Sequence, residues 1–264
     1  MTRHTRIGWL VSAACFVLVT SLTALQPDAV GNLTGVVRSP AGPEAGVWVI
    51  AETDDLDTRF RKIVVTDDDG RFLVPDLPGA SYRVWVRGYG LVDSLPVTAE
   101  PGQTLALNAV PAGSPREAAQ VYPANYWYAL LEPPAADQFP GTGPAGNGIS
   151  RRLQSQAAWI DVTKQGCQLC HQMGNRFTFD TSHLARFDST IAAWDHRLTF
   201  GQRGSQMSGV LNRFGRDRGL AMFADWSDRI AAGEVPVAPP RPRGVERNLV
   251  LTMWEWAGET SYVH

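Results

Sequence analysis

Two cysteines three positions apart, Cys167 and Cys170, are followed directly by His171 and carry the most specific signal in this 264-residue chain. The spacing C-x-x-C-H is the attachment signature of a c-type haem. Each thiol can form a thioether with one haem vinyl group, and the imidazole that follows can ligate the iron. The pattern predicts one covalent haem c on Cys167 and Cys170, with His171 as the proximal iron ligand.

Two other uses of the cysteine pair stay open. The chain has only three cysteines, and Cys15 lies in an apolar N-terminal segment. A secreted domain built on disulfides usually has more cysteines, spread along its length, but Cys167 and Cys170 alone could form a short disulfide or a redox dithiol. A structural zinc site takes four Cys or His ligands, and no second histidine follows His183 at the spacing of a zinc finger.

The first residues are typical of an export signal. Residues 1–6 are basic, and residues 7–24 are apolar and uncharged. This predicts a signal peptide over residues 1–25, or alternatively an uncleaved membrane anchor, because the apolar length is close to that of a spanning helix. Haem c is attached outside the cytoplasm in bacteria, so we expect a periplasmic or secreted protein with no other membrane segment.

Charge and composition exclude some partners. The formal net charge is −2 and 44% of the residues are hydrophobic. This is a globular composition without the basic excess of nucleic-acid-binding proteins, so no nucleic acid is expected as a partner. The length allows one large domain or two ordinary ones.

Residues 32–111 alternate apolar and polar residues in short runs. The runs are Leu33–Val37, Val47–Ala51, Lys62–Thr66, Arg71–Val74, Tyr82–Val86 and Thr104–Leu107, separated by turn residues that include Gly70. Short strands at this spacing predict an antiparallel β-sandwich of about seven strands.

This part of the chain resembles the carboxypeptidase regulatory-like domain, a transthyretin-like (prealbumin-like) fold. The segments that carry the resemblance are Gly35–Val37, Gly42–Val49, Thr66–Phe72, Leu77–Gly79 and Tyr82–Val84. That resemblance implies a non-catalytic accessory module, and related sandwiches bind carbohydrate.

Residues 112–148 are predicted to be a linker because they are rich in proline and glycine and lack a period. They include a dense aromatic patch, Tyr122–Tyr128. We expect this patch to cover the haem or to dock the two modules on each other.

Residues 149–235 have helical periodicity. Leu153, Ala157 and Ile160 share one helix face before the cysteine motif, and residues 195–202 are expected to be a polar connection. Two further helices are predicted at residues 207–214 and 223–230, the second ending at Gly233 as its C-cap. A haem-bearing helix followed by amphipathic helices resembles a class I cytochrome c, which implies a mainly α-helical domain that transfers single electrons.

The sixth iron ligand must lie on the face of the ring opposite His171. Met207 is favoured because it precedes the last helix, where cytochromes place their methionine loop, and a thioether suits electron transfer. Met222, His196 and His183 are the alternatives. An iron with no sixth ligand would instead favour a haem enzyme or sensor.

Residues 236–264 are expected to form a proline-rich linker and a terminal strand at residues 248–254, whose apolar face needs a partner. The chain also resembles the N-terminal part of bacterial proteins that continue into a streptogramin-lyase-like β-propeller. Such a propeller is absent here, which implies a truncated or split form to which no propeller activity is carried over.

These expectations combine into a multidomain α and β protein that carries electrons between redox partner proteins. The alternative is an extracellular carbohydrate- or protein-binding sandwich whose cysteines form a disulfide. Both interpretations favour an electron carrier or a binding protein over an enzyme.

Overall fold

The computed structural model describes residues 31–170 and 172–255, and within them the chain combines helices with β-sheets. The mixed α and β class expected from the sequence is therefore confirmed. The predicted signal segment, Cys15 and His171 lie outside the described residues. Below, residues 31–111 are called the β-region and residues 149–235 the helical region.

Eleven strands occur in the described residues, and all six strands predicted within residues 32–111 are among them. They are β1 (Gly31–Ser39), β2 (Gly42–Pro43), β3 (Trp48–Thr53), β4 (Arg59–Val65), β5 (Arg71–Leu77), β6 (Tyr82–Arg87), β7 (Leu91–Val92), β8 (Val97–Ala99), β9 (Thr104–Asn108), β10 (Val110–Pro111) and β11 (Val250–Glu255).

The strands form two main sheets and a two-stranded ribbon. One sheet has the order β2-β1-β5, with β9 also paired to β1, and the other has the order β11-β4-β3-β6-β8. The ribbon joins β7 and β10. The expectation of a purely antiparallel arrangement is wrong at one ladder, because β1 and β9 run parallel, Thr34 opposite Thr104. β9 follows β8 of the other sheet by way of a crossing segment, and such a crossover allows parallel pairing.

Both main sheets contribute to one apolar core. Its members are mostly aliphatic, and its three aromatic residues are Phe60, Phe72 and Tyr82. Gly70 has a φ of +73°, the left-handed conformation that the turn before β5 requires, as its place in the sequence predicts.

The terminal strand predicted from the sequence returns to the β-region. β11 pairs antiparallel with β4, from Val250 opposite Val64 to Glu255 opposite Arg59. β4, almost two hundred residues earlier in the chain, thus supplies the pairing partner for one edge of β11.

Seven α-helices lie between the sheets and the returning strand in the described sequence. They are α1 (Pro115–Ala118), α2 (Ala124–Tyr128), α3 (Gln156–Thr163), α4 (Arg176–Phe179), α5 (Thr190–Thr199), α6 (Gly204–Phe214) and α7 (Arg216–Ala231). The two helices predicted at residues 207–214 and 223–230 are confirmed as parts of α6 and α7, and Gly233 follows α7 with a φ of +112°.

Two details of the helical prediction are wrong. The expected polar connection at residues 195–202 begins inside α5, where Trp194 and Leu198 are buried and hold the helix against α7. Before the motif, Trp159, Val162 and Thr163 are the buried residues of α3, whereas Ala157 is exposed. The buried face of α3 differs from the one predicted from small and aliphatic residues, because the bulky indole of Trp159 takes the core position.

The aromatic patch at residues 122–128 contacts both regions. The Tyr122 ring packs edge-on against Tyr89 of the β-region, with ring centroids 5.5 Å apart. The Trp127 ring stacks on Phe179 of the helical region at 5.0 Å, and its carbonyl accepts a hydrogen bond from Trp226 Nε1. The patch therefore contacts both regions, as docking of the two modules requires, and both expectations for it stay predictions.

Candidate haem-attachment site

The cysteine motif lies where a helix changes its winding. α3 begins at Ser155, whose side chain accepts a hydrogen bond from the Ala158 backbone N–H at 3.2 Å. After Thr163 the helix continues as a π-helical turn, Lys164–Gln168, which contains Cys167. Widened turns of this kind occur frequently at functional sites in helical proteins. The backbone N–H of Cys170 then donates to the Cys167 carbonyl at 3.3 Å.

The two thiols are free and differ in exposure. Cys170 is exposed, whereas Cys167 is half-buried against the core of the helical region. Burial, together with the neighbouring Cys170, raises the pKa of the Cys167 thiol to about 11. Cys167 therefore stays protonated at neutral pH, and no disulfide joins it to Cys170 in this structure.

The motif turn packs unusually closely on α6. A Cβ atom built on Gly166 would come within 2.3 Å of Val210 Cγ1, so a side chain larger than hydrogen would displace one of the two helices. Cys167, Val210 and Met207 all pack against the same core. Gly166 was not singled out from the sequence, because nothing in the chain order indicates which helix passes beside the motif.

A second glycine holds the segment that follows the motif. A Cβ on Gly174 would come within 1.6 Å of the Ala124 carbonyl oxygen and 2.5 Å of the Tyr128 backbone nitrogen. The segment after His171 therefore rests directly on the backbone of α2. Close backbone contact of this kind requires glycine, and it fixes the direction in which the chain leaves the motif.

The four candidate distal ligands have different surroundings. Met207 lies on α6, one helical turn before Val210, and is half-buried. Met222 is buried on α7, and its sulfur accepts a hydrogen bond from the Trp159 indole N–H at 3.2 Å. Binding iron would break that hydrogen bond and leave a buried indole N–H without a partner.

The two histidine candidates are held by arginines. Nε2 of His183 lies 3.0 Å from Arg197 Nη2, and Nε2 of His196 lies 3.3 Å from Arg186 Nη2. Among the hydrogen bonds of residues 31–170 and 172–255, none engages the Met207 sulfur. Met207 is thus the candidate whose donor atom is free of a competing hydrogen bond in the described part of the chain.

The surface of the helical region carries large apolar side chains that are not covered. Leu169, within the motif, is 83% exposed, Phe177 is 82% exposed and Phe200 is 69% exposed. Exposed apolar side chains indicate a binding surface where they form a contiguous patch, and single ones are normal on a protein surface. Of these three side chains, Leu169 lies between the two cysteines of the motif.

A metal-ligand cluster and a membrane-spanning helix are both absent from the described residues. No group of three or more His, Cys, Asp and Glu side chains there is arranged to hold a metal ion. No helix among them is long and apolar enough to cross a membrane.

Comparison with known proteins gives no family. No protein-family model matches the chain, and no curated protein matches it. Three solved structures resemble parts of it: a type II cohesin–X-dockerin complex from Acetivibrio cellulolyticus (16% identity, TM-score 0.24), catechol 1,2-dioxygenase from Pseudomonas arvilla C-1 (14%, 0.28) and the Bacillus anthracis TIE protein (18%, 0.25).

These alignments are partial on both sides. They cover 31%, 37% and 31% of this chain and 58%, 57% and 17% of the respective solved chains. At such TM-scores the similarities carry no argument about fold or function.

Proposed function

We propose that this chain is an exported electron carrier with one covalently attached haem c, in which Cys167 and Cys170 form the thioethers and His171 ligates the iron. The supporting observation is the pair of free thiols, of which Cys167 lies on a widened helical turn that packs against α6 and Cys170 lies two residues after that turn. A bound haem would supply reversible exchange of one electron.

The proposal extends to the layout of the chain. The two sheets with one shared core support a prealbumin-like β-sandwich over residues 32–111. The helical region supports a cytochrome c-like module, with residues 112–148 as the connecting segment. In this arrangement the sandwich is an accessory module, and the compartment is the periplasm or the cell exterior.

Met207 is the proposed distal ligand. Its sulfur has no competing hydrogen bond in the described residues, and it packs against the same core as Cys167. A thioether opposite an imidazole raises the reduction potential, which suits a carrier that donates and accepts single electrons.

Co-expression with haem-maturation machinery, followed by a pyridine haemochrome spectrum, tests the attachment. The unaltered chain should give a c-type spectrum with one haem per chain, and the Cys167→Ser, Cys170→Ser double variant should give none. Cys15→Ser is the matched control and should retain the full haem content. Haem that stays covalently bound in the double variant would refute the proposal.

The distal ligand is tested by absorption spectra of the haem-loaded protein. Met207→Ala should lose the low-spin signature of methionine ligation and lower the reduction potential. Met222→Ala should keep that signature, although it loses a buried side chain. An unchanged spectrum in Met207→Ala would refute this assignment. If the unaltered chain itself gives a high-spin ferric spectrum that shifts with cyanide, the result would favour a haem enzyme or sensor.

A further inference from the structure

β11 is an edge strand with an open side. Within residues 31–170 and 172–255 it pairs with β4 alone, and all six of its residues are exposed. Among the described residues, its outer edge therefore has no pairing partner and presents backbone N–H and C=O groups beside apolar side chains. Native proteins rarely leave such an edge uncovered, because it is a template for pairing with another strand.

Leu251 ends an apolar row that crosses this sheet. The row consists of side chains directly opposite each other on four neighbouring strands: Trp85, Ile50, Ile63 and Leu251. Ile50 in its middle is buried, whereas Leu251 at its end is 53% exposed. The Trp254 ring lies on the other face, 4.6 Å from Phe60, so Leu251 and Met253 point away from the shared core.

We propose that a second copy of this chain covers the open edge, through antiparallel pairing of β11 with β11 about a two-fold axis at Leu251. In this register Leu251 faces Leu251 of the other copy, and Leu249 faces Met253. The apolar row then continues without a gap from one copy into the next. A two-fold interface requires such a self-complementary surface, and directly opposed apolar pairs stabilise it.

The charges at the two ends of the strand are also complementary. Arg247 lies in the 3-10 turn Gly244–Asn248, separated from β11 by Asn248 and Leu249, and Glu255 ends β11 with its Oε2 3.4 Å from Arg59 Nη1. Antiparallel pairing brings the beginning of one strand close to the end of the other, so each Arg247 lies near the Glu255 of the partner copy. Arg247 donates to Asp68 through Nη1 and to the Pro242 carbonyl through Nε, and a guanidinium has further N–H groups for a second carboxylate.

The mass of the purified chain in solution tests the pairing. Light scattering should give twice the mass of one chain at micromolar concentration, and Leu251→Lys should give a monomer because it places two ammonium groups face to face on the axis. Leu95→Lys is the matched control, since Leu95 is an exposed leucine of the same region, 89% accessible, away from β11. The proposal is refuted if the unaltered chain is a monomer, or if the Leu251→Lys variant is still a dimer. A monomer that binds a different protein on this edge would equally refute it.

Two further variants test the register. Leu251→Cys should form a disulfide between copies under oxidising conditions, identified by mass spectrometry as a peptide linked to itself, whereas Leu95→Cys should not. Arg247→Glu and Glu255→Lys should each weaken the dimer, and the double variant should recover it because the charges are exchanged. Absence of both the self-linked peptide and the recovery would contradict this register. Neither readout involves haem, so the outcome is independent of the proposed electron transfer.

Discussion

The β-region and the helical region bury their apolar residues in different ways. The core of the β-region is mainly aliphatic and holds three aromatic residues, whereas that of the helical region holds three tryptophans and three phenylalanines: Trp159, Trp194, Trp226, Phe179, Phe214 and Phe223. Yet two more phenylalanines of the helical region, Phe177 and Phe200, are exposed. The β-region exposes only aliphatic side chains of comparable size among its described residues.

Charge separates the two regions as well. The β-region has seven Lys and Arg residues against eleven Asp and Glu, and the helical region has eleven against eight. The near-neutral total of −2 therefore hides two regions of opposite sign. Net charge affects which partners a surface attracts, so the helical region favours anionic groups more than the β-region does.

The largest predicted effect falls on the helical core. Trp159 is fully buried, lies 4.6 Å from the Phe214 ring and donates to Met222. Trp159→Ala should lower the free energy of unfolding of this region by about 3–5 kcal/mol. Hydrogen exchange should show the loss of protection at residues 149–235 and unchanged protection in β3, β4 and β6. Equal loss in both regions would mean that the chain unfolds as one cooperative unit.

The packing of the motif on α6 gives the next effect. Gly166→Ala should destabilise the helical region by about 1–3 kcal/mol, because the added methyl group meets Val210. Gly209→Ala is the matched control on α6, where a Cβ atom would have no neighbour within 4 Å, and it should stabilise the helix by up to about 1 kcal/mol. Denaturant titrations compare the two. A neutral Gly166→Ala would show that the close contact is not needed.

A smaller effect is expected in the β-region. The Tyr82 hydroxyl donates to the Pro78 carbonyl at 2.9 Å, and burial raises the pKa of Tyr82 to about 12. Tyr82→Phe should cost about 1 kcal/mol of unfolding free energy. Because the hydroxyl stays neutral below pH 12, the cost should be the same at pH 6 and pH 9. A cost that disappears at pH 9 would contradict this description of the site.

The smallest change is a difference in reactivity between the two thiols. In haem-free protein, iodoacetamide should modify the exposed Cys170 faster than Cys167, since the raised pKa of Cys167 keeps it in the unreactive thiol form. The rate at Cys167 should rise as the pH approaches 11. Peptide mass spectrometry after timed alkylation measures both rates, and equal rates at pH 8 would show that Cys167 is not shielded.

The sequence predicts local structure well where periodicity is clear. The six predicted strands and the helices around Met207 and Trp226 are present because short-range alternation and the 3.6-residue period decide them. The sequence does not predict the parallel pairing of β1 with β9 or the pairing of β11 with β4, since both depend on contacts between distant segments. For the same reason, the sequence indicates the motif but not Gly166 or Gly174, whose importance lies in which backbone passes beside them.

Peptide mass spectrometry of the purified protein tests the central claim most directly. After co-expression with haem-maturation machinery, the peptide spanning Cys167 and Cys170 should carry the mass of one haem bound through both sulfurs. The same peptide with no haem and two hydrogens fewer would show a disulfide. That result would contradict the electron carrier and favour the alternative of an extracellular binding protein.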